Sequence, residues 1–427
     1  MCLSSKGITQ EEGVMTVAAA RTPAEDFNPF DLGAPHGLWR DLRTEAPVFR
    51  HAATGYFVVT RHADIKAVFD DWQTFSSENA QAPMRPMCAE GRKIMADGGF
   101  TAYSGLSARI PPDHTRIRKI VQGAFGPRRF RAIEPQIEQI VADALDRIAP
   151  LGRADFFRDV AYDVPAFVLF KLVGVPDSDV ERVKAWSVSR ALLTWGELSD
   201  AEQLPHAHNM VEYWAYCRAL VAAKRAAPGD DLPSDLLALQ AGGAEITDDE
   251  IAGIMYSVLF AGHETTTTLM ANGVHTLLSN RDAWEAVCAD PALIPRVTEE
   301  ILRYSPSIVA WRRRAKADAV IGGVAVPKGA DILLVMGSGN RDETVFAQSE
   351  TFDIHRDNAR NHLSFGYGIH FCLGFQLAKL EFGIMLRQLC ARFPDLALTG
   401  DGKIDFLPNV SFRVPSKVEI TWGKGAK

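Results

Sequence analysis

With 427 residues, 47% of them hydrophobic and 23% charged, the chain has the composition of an ordinary globular protein with ample material for a large core. A formal charge of -7 argues against nucleic acid as a general partner and against a broadly anionic membrane surface. The six cysteines show no CxxC pair and no regular spacing, which suggests neither a disulfide framework nor a zinc site. The first residues lack an apolar run after a basic start, and nowhere do about 20 apolar residues follow one another. A soluble cytoplasmic protein without membrane contact is expected.

Residues 1–25 are rich in small residues and without periodicity, which predicts a loosely ordered tail ahead of one unit over residues 26–427. A short helix is expected from Gly37 to Thr44, a strand over Tyr56 to Thr60, and a helix from Arg61 to Asp71. Residues 74–112 are rich in Ser, Gly, Pro and Met with no sustained period and read as a long irregular segment. Asp113, after two prolines, then opens a helix. His114 and Arg118 lie four apart on it, two donors on one face that suit an acid group. Arg116 points elsewhere and, with Lys119, Arg128, Arg129 and Arg131, makes a basic run. From Glu134 to Lys224 the spacing is helical, with breaks expected near Gly152, at Gly174-Val175-Pro176 and at Pro205.

Thr247 followed by Glu250 forms a capping box, and the pattern it launches meets no proline until beyond Asn280. In mid-helix stands Ala261-Gly262-His263-Glu264-Thr265-Thr266. Glycine weakens a helix by about 1 kcal/mol relative to alanine, and the Thr265 hydroxyl can bond the carbonyl of Ala261, so a local kink is expected. Further on, Glu300 and Arg303 form an i, i+3 ion pair on a helix. Val320 to Val326 and Ile332 to Val335, around Pro327-Lys328-Gly329, read as a hairpin.

The run Phe365-Gly366-Tyr367-Gly368-Ile369-His370-Phe371-Cys372-Leu373-Gly374 is followed by an amphipathic helix from Leu373 to Phe393. Cys372 therefore lies at a helix N-terminus, where unpaired N–H groups favour the thiolate, the metal-ligating form.

These motifs, in this order, resemble those of the cytochromes P450 over nearly the whole chain. The resemblance implies a mainly α fold with a small β region, one haem domain, and haem b held by the Cys372 thiolate. It further implies that Phe365, Gly366, Gly374 and Ala261 lie against the cofactor, and that His114, Arg118, Arg313, His362 and His370 hold its propionates, with Arg312 and Arg314 as alternatives to Arg313 one residue either way. Glu264 and Thr265 become the catalytic pair that handles oxygen and relays protons; Glu300, Arg303 and Arg356 become the support of the thiolate loop. Phe100, Tyr103, Leu106, Trp195, Val309 and Ala310 are expected around the substrate, with residues 308–311 running past the haem as a strand.

Ala310-Trp311-Arg312-Arg313 and residues 407–413 resemble the haem portion of self-sufficient P450s fused to a reductase, and their unfused relatives. That implies small apolar or alkoxy-aromatic substrates, hydroxylated or O-dealkylated with O2. No dinucleotide or iron-sulfur motif follows the haem signature, so electrons are expected from NAD(P)H through a separate ferredoxin and reductase docking on the basic run. A peroxide-driven P450 or a non-catalytic haem sensor or carrier would not need the Glu264-Thr265 pair.

Overall fold

The computed structural model describes residues 21–101 and 105–423. Thr247 and Glu250 exchange side-chain and backbone hydrogen bonds at the start of a helix spanning Asp248–Ser279. At 32 residues it is about 48 Å long. Ile251, Met255, Leu259, Leu269, Val274 and Leu277 make it apolar on most sides, so it lies inside the protein. Helices Val164–Val173, Asp200–Ala226 and Phe375–Arg392 pack directly on it. Around them, Pro127–Ile148 turns one stripe, Phe130, Ile133, Ile137, Val141 and Leu145, inward against Phe375–Arg392.

A five-stranded sheet stands beside the helices in the order Val48–Arg50, Phe57–Val59, Asp331–Leu334, Trp311–Ala315, Phe75–Ser76. The expected hairpin is built differently. Ala319–Ile321 pairs with Val324–Val326 across Gly322-Gly323, both at positive φ, the arrangement a two-residue turn favours. Asp331–Leu334 is thereby released to join Trp311–Ala315 and Phe57–Val59 in the larger sheet.

Three further boundaries differ from expectation. Pro23–Asp26, at the end of the expected tail, form a helical turn closed by a Thr22–Glu25 capping box and packed on His36–Glu45. The segment 74–112 contains the helix Ala89–Asp97, which lies on Asp200–Ala226. Pro205 does not break Asp200–Ala226: it stands in the second turn, where the Ser199–Glu202 capping box already fixes the helix start.

Candidate active site

Cys372 is held by its own loop, since its amide donates to the Phe365 carbonyl at 2.9 Å. Within that loop Gly368 has φ +69°, and a Cβ there would stand 2.7 Å from the carbonyl oxygen of Phe69. Only glycine fits. The following helix starts at Phe375 rather than Leu373, with Gly374 as its N-cap. Burial pushes the Cys372 thiol up from its ordinary value, while the N–H of Gly374, the Arg118 charge and the N–H of Phe375 pull it down. The helix terminus alone therefore does not favour the thiolate here, and a bound metal cation would supply the rest.

Cys372 opens into a cavity of about 290 Å³ that also exposes Phe365, Gly366, Gly374, Ala261 and Thr265. Arg118, Arg313 and His370 line it together, and the His114 ring centre lies 4.2 Å from that of His370, the planes tilted by 50°. None of the four has a carboxylate partner among the described residues. Arg118 donates to the Phe371 carbonyl at 2.6 Å and Arg313 to the Arg312 carbonyl at 2.8 Å. Both His114 nitrogens are buried without a partner among those residues. Burial, then the Arg118 and Arg313 charges, drives the His114 pKa down to about 4, and burial drives Arg313 down to about 9. Such a cluster calls for acid groups. A flat cofactor with two carboxylates and an iron over Cys372 meets both requirements of this cavity.

On the long helix the Thr265 hydroxyl donates to the Ala261 carbonyl at 2.6 Å, the bond its position predicts, and the helix continues through it. Glu264 does not line the cavity. Its side chain is 13% exposed, and Oε1 has no hydrogen-bond partner among the described residues. Burial raises its carboxyl to about 7. The neighbouring His263 Nδ1 lies 3.7 Å away, but that imidazole is itself pushed down to about 4 by burial and is neutral.

Behind the thiolate loop, Arg303 holds both Glu300 oxygens at 2.7 Å, and Arg356 Nε reaches Glu300 Oε1 at 3.2 Å. Glu300 and Arg303 are fully buried, which would be costly without the hydrogen bonds that complete their shells. Arg303 supplies these by donating to the carbonyls of Asn340, Ser349 and Thr351, and the Asp353 amide donates to Glu300. Asn340 carries the connection onward. Its side chain accepts from the Leu363 amide at 2.6 Å and donates to Ser364 Oγ at 2.8 Å, one residue before Phe365. Sequence reading passed over Asn340, whose type carries no signal apart from these partners.

Several expected residues lie elsewhere. His362 does not line the cavity: Nε2 is paired with Glu299 at 3.2 Å and Nδ1 accepts from the Ser364 amide. Trp195 is fully buried one layer back, stacked on Phe260 and edge-on to Phe412, which do line the cavity. Phe100 packs against Trp214 and Tyr256 instead. Val309 and Ala310 join a separate core with Trp39 and Leu333, because the strand begins only at Trp311; Ile308 and Trp311 are the lining residues there. Leu106 lines the cavity as expected, and Tyr103 falls outside the described residues. The basic run also thins out. Arg116 binds Glu250 at 2.6 Å, and Arg129 bridges Asp230 and Asp235. Arg190 was not anticipated, although it shares the buried phase of Trp186 and Leu193.

The family model for cytochrome P450 matches residues 47–421. The chain belongs to the cytochrome P450 family. Its fold is that of known P450s. A solved structure of the P450 CREJ in complex with (4-ethylphenyl) dihydrogen phosphate is 52% identical, with a TM-score of 0.92 over 94% of this chain and 100% of that one. The CYP116B5 haem domain of Acinetobacter radioresistens is 32% identical, with a TM-score of 0.89 over 94% and 98%. Cyclomarin C epoxidase of Salinispora arenicola (strain CNS-205) is 36% identical over 370 residues, 86% of this chain and 90% of that protein. As a P450 monooxygenase the protein uses haem, O2 and a source of electrons. Among the described residues no helix is long and apolar enough to cross a membrane.

Proposed function

We propose that this P450 inserts one atom of O2 into a small aromatic substrate, with Cys372 as the residue whose thiolate would hold haem b. The observation that carries the reading is that Cys372 and Thr265 line one cavity edged by four basic residues, none of which has a carboxylate partner among the described residues. When bound, the haem supplies oxygen activation at an iron whose thiolate ligand donates electron density. Arg118, Arg313, His114 and His370 would hold its propionates, and Phe365, Gly366, Gly374 and Ala261 line the space it would fill. Thr265 Oγ1 would relay a proton into the cavity it lines. Glu264, half protonated near pH 7, replenishes that proton from solvent.

Phe260, Trp311 and Phe412, grouped around Trp195, give the cavity an aromatic wall. An aromatic substrate, such as an alkoxy-arene that loses its alkyl group, suits it, and the ligand of the 52% identical neighbour supports that class. Electrons from NAD(P)H would come through a ferredoxin and its reductase in the cytoplasm. Lys119, Arg128 and Arg131 remain exposed with no ion pair among the described residues and would form the docking patch.

The reduced protein with carbon monoxide should show the red-shifted Soret band of a thiolate-ligated haem, and Cys372→Ser should lose it. Retention of the band in the variant would overturn the ligand assignment. With ferredoxin and reductase, small alkoxy-arenes should consume NADH and give the dealkylated product. A compound panel in which only fatty acids or terpenes bind would overturn the aromatic reading.

A further inference from the structure

Arg190, on the helix Val180–Trp195, lines the same cavity and is only 5% exposed. Among the described residues no carboxylate pairs with it. Nη1 donates to the Tyr256 carbonyl at 2.6 Å and Nη2 to Gln81 Oε1 at 3.0 Å, which uses two of the five N–H groups of a guanidinium. Its carbon lies 4.2 Å from the centre of the Tyr256 ring and 4.9 Å from that of Phe260. Those rings hold the group in place but do not neutralise it.

Three more polar groups line the cavity near it. Gln81 Nε2 donates to Ser107 Oγ at 3.0 Å, so the Ser107 hydroxyl keeps its own proton to give. Ser257 follows Tyr256 on the long helix, and its hydroxyl is buried with no partner among the described residues. The loop closes on that hydroxyl at Gly105, where a Cβ would fall 1.8 Å from Ser257 Oγ. The cluster is rich in donors and holds one fixed charge.

Leaving a cation and a hydroxyl buried and unpaired is expensive, several kcal/mol for the ion alone, unless something that enters the cavity completes them. Neither oxygen chemistry nor the propionate cluster uses these groups. Ile254, Ser257, Val258, Ala261, Thr265 and Leu269 form one cavity-facing stripe of the long helix. Ser257 stands eight residues before Thr265, about 12 Å along the axis. The walls between are apolar and aromatic.

We propose that the substrate carries a tetrahedral oxyanion, a phosphate monoester on an arene, and that Arg190 with Ser107, Ser257 and Gln81 binds this head group. The far end of the arene is thereby aimed at the oxygen site beside Thr265. The inference rests on the monooxygenase reading and adds to it the chemical class of the substrate. A guanidinium binds two phosphate oxygens at once, and the hydroxyls take the remaining lone pairs.

The haem-loaded protein would be titrated with 4-methylphenyl phosphate, 4-methylphenol and 4-methylanisole, following the Soret shift. The phosphate should bind at least about tenfold tighter than either neutral arene, the scale of one charge-assisted hydrogen bond. Arg190→Gln should erase that preference and leave neutral arene affinity within about threefold, whereas Arg190→Lys should restore part of it. Ser257→Ala gives an independent reading if the arginine variants do not fold, and should weaken only the phosphate. Equal or weaker binding of the phosphate by the wild-type protein would overturn the proposal, as would a variant that weakens all three ligands alike. Absence of the thiolate carbon monoxide band would instead overturn the underlying haem assignment, so the two failures are distinguishable.

Discussion

Glu264→Gln tests the buried acid through stability as well as turnover. An ordinary glutamate ionises near 4.5, but burial holds this one at about 7, which corresponds to about 3 kcal/mol. Below pH 4.5 the carboxyl is protonated whether the chain is folded or unfolded, and it costs nothing. Between pH 4.5 and 7 the unfolded chain ionises freely while the folded protein cannot, so stability falls as pH rises through this window. From pH 5 to pH 8 the loss comes to about 2.5 kcal/mol. Glutamine stays neutral and should remove this loss. Urea unfolding of the haem-loaded protein and variant at both pH values, followed by circular dichroism, isolates the contribution, because the other titrating groups cancel in the double difference. His263, neutral in the folded protein above about pH 4, is common to both proteins and cancels with the rest. A double difference under about 0.5 kcal/mol would refute the buried-acid argument.

Thr265→Ala should keep haem and substrate but send reducing equivalents to hydrogen peroxide, measured as product per NADH; an unchanged ratio would remove Thr265 from proton delivery. Arg303→Ala leaves the buried Glu300 with Arg356 as its one cationic partner among the described residues and should destabilise the protein by about 3–5 kcal/mol, with loss of haem retention. Reversing Lys119, Arg128 and Arg131 to Glu should slow reduction by ferredoxin at low salt while peroxide-supported turnover continues; equal reduction rates would move the docking site elsewhere.

The chain declares its chemistry where that chemistry is local. A capping box and an acid-threonine pair in an unbroken helix are each written within ten residues. Among Arg312, Arg313 and Arg314 the sequence left the choice open; the structure puts Arg313 on the cavity, the strand turning its middle side chain to the face opposite its neighbours. What escaped depends on contacts across the fold. His362 could be a cofactor donor by position, but Glu299 on the helix Ile294–Tyr304 claims its ring. Trp195 has the right size and place in the chain to meet a substrate, yet Phe260 and Phe412 stand in front of it. The strand was expected one turn of chain too early, so Val309 and Ala310 were assigned the place that Ile308 and Trp311 hold.

Arginine shows why a count of charges is a poor guide to function in this protein. Arg116, Lys119, Arg128, Arg129 and Arg131 form a basic run in sequence, but Arg116 is neutralised by Glu250 and Arg129 by Asp230 and Asp235. What remains to steer an acidic partner is Lys119, Arg128 and Arg131. On an overall charge of -7 such a patch acts only over the screening length, about 8 Å at physiological salt, so it would guide the final approach rather than the encounter. Inside the protein the logic reverses. Arg303 and Arg356 share one carboxylate and several carbonyls, and their role ends with the structure they hold. Arg118, Arg313 and Arg190 reach the cavity with carbonyls or an amide as partners and no acid among the described residues. An internal arginine with a carboxylate is complete; one without still requires an anion, and the cavity places two such requirements in different surroundings. The first, beside Cys372, suits the acids of the cofactor. The second is held by Tyr256, Gln81 and Phe260, none of which touches the first, and the acid that would complete it is the one proposed on the substrate.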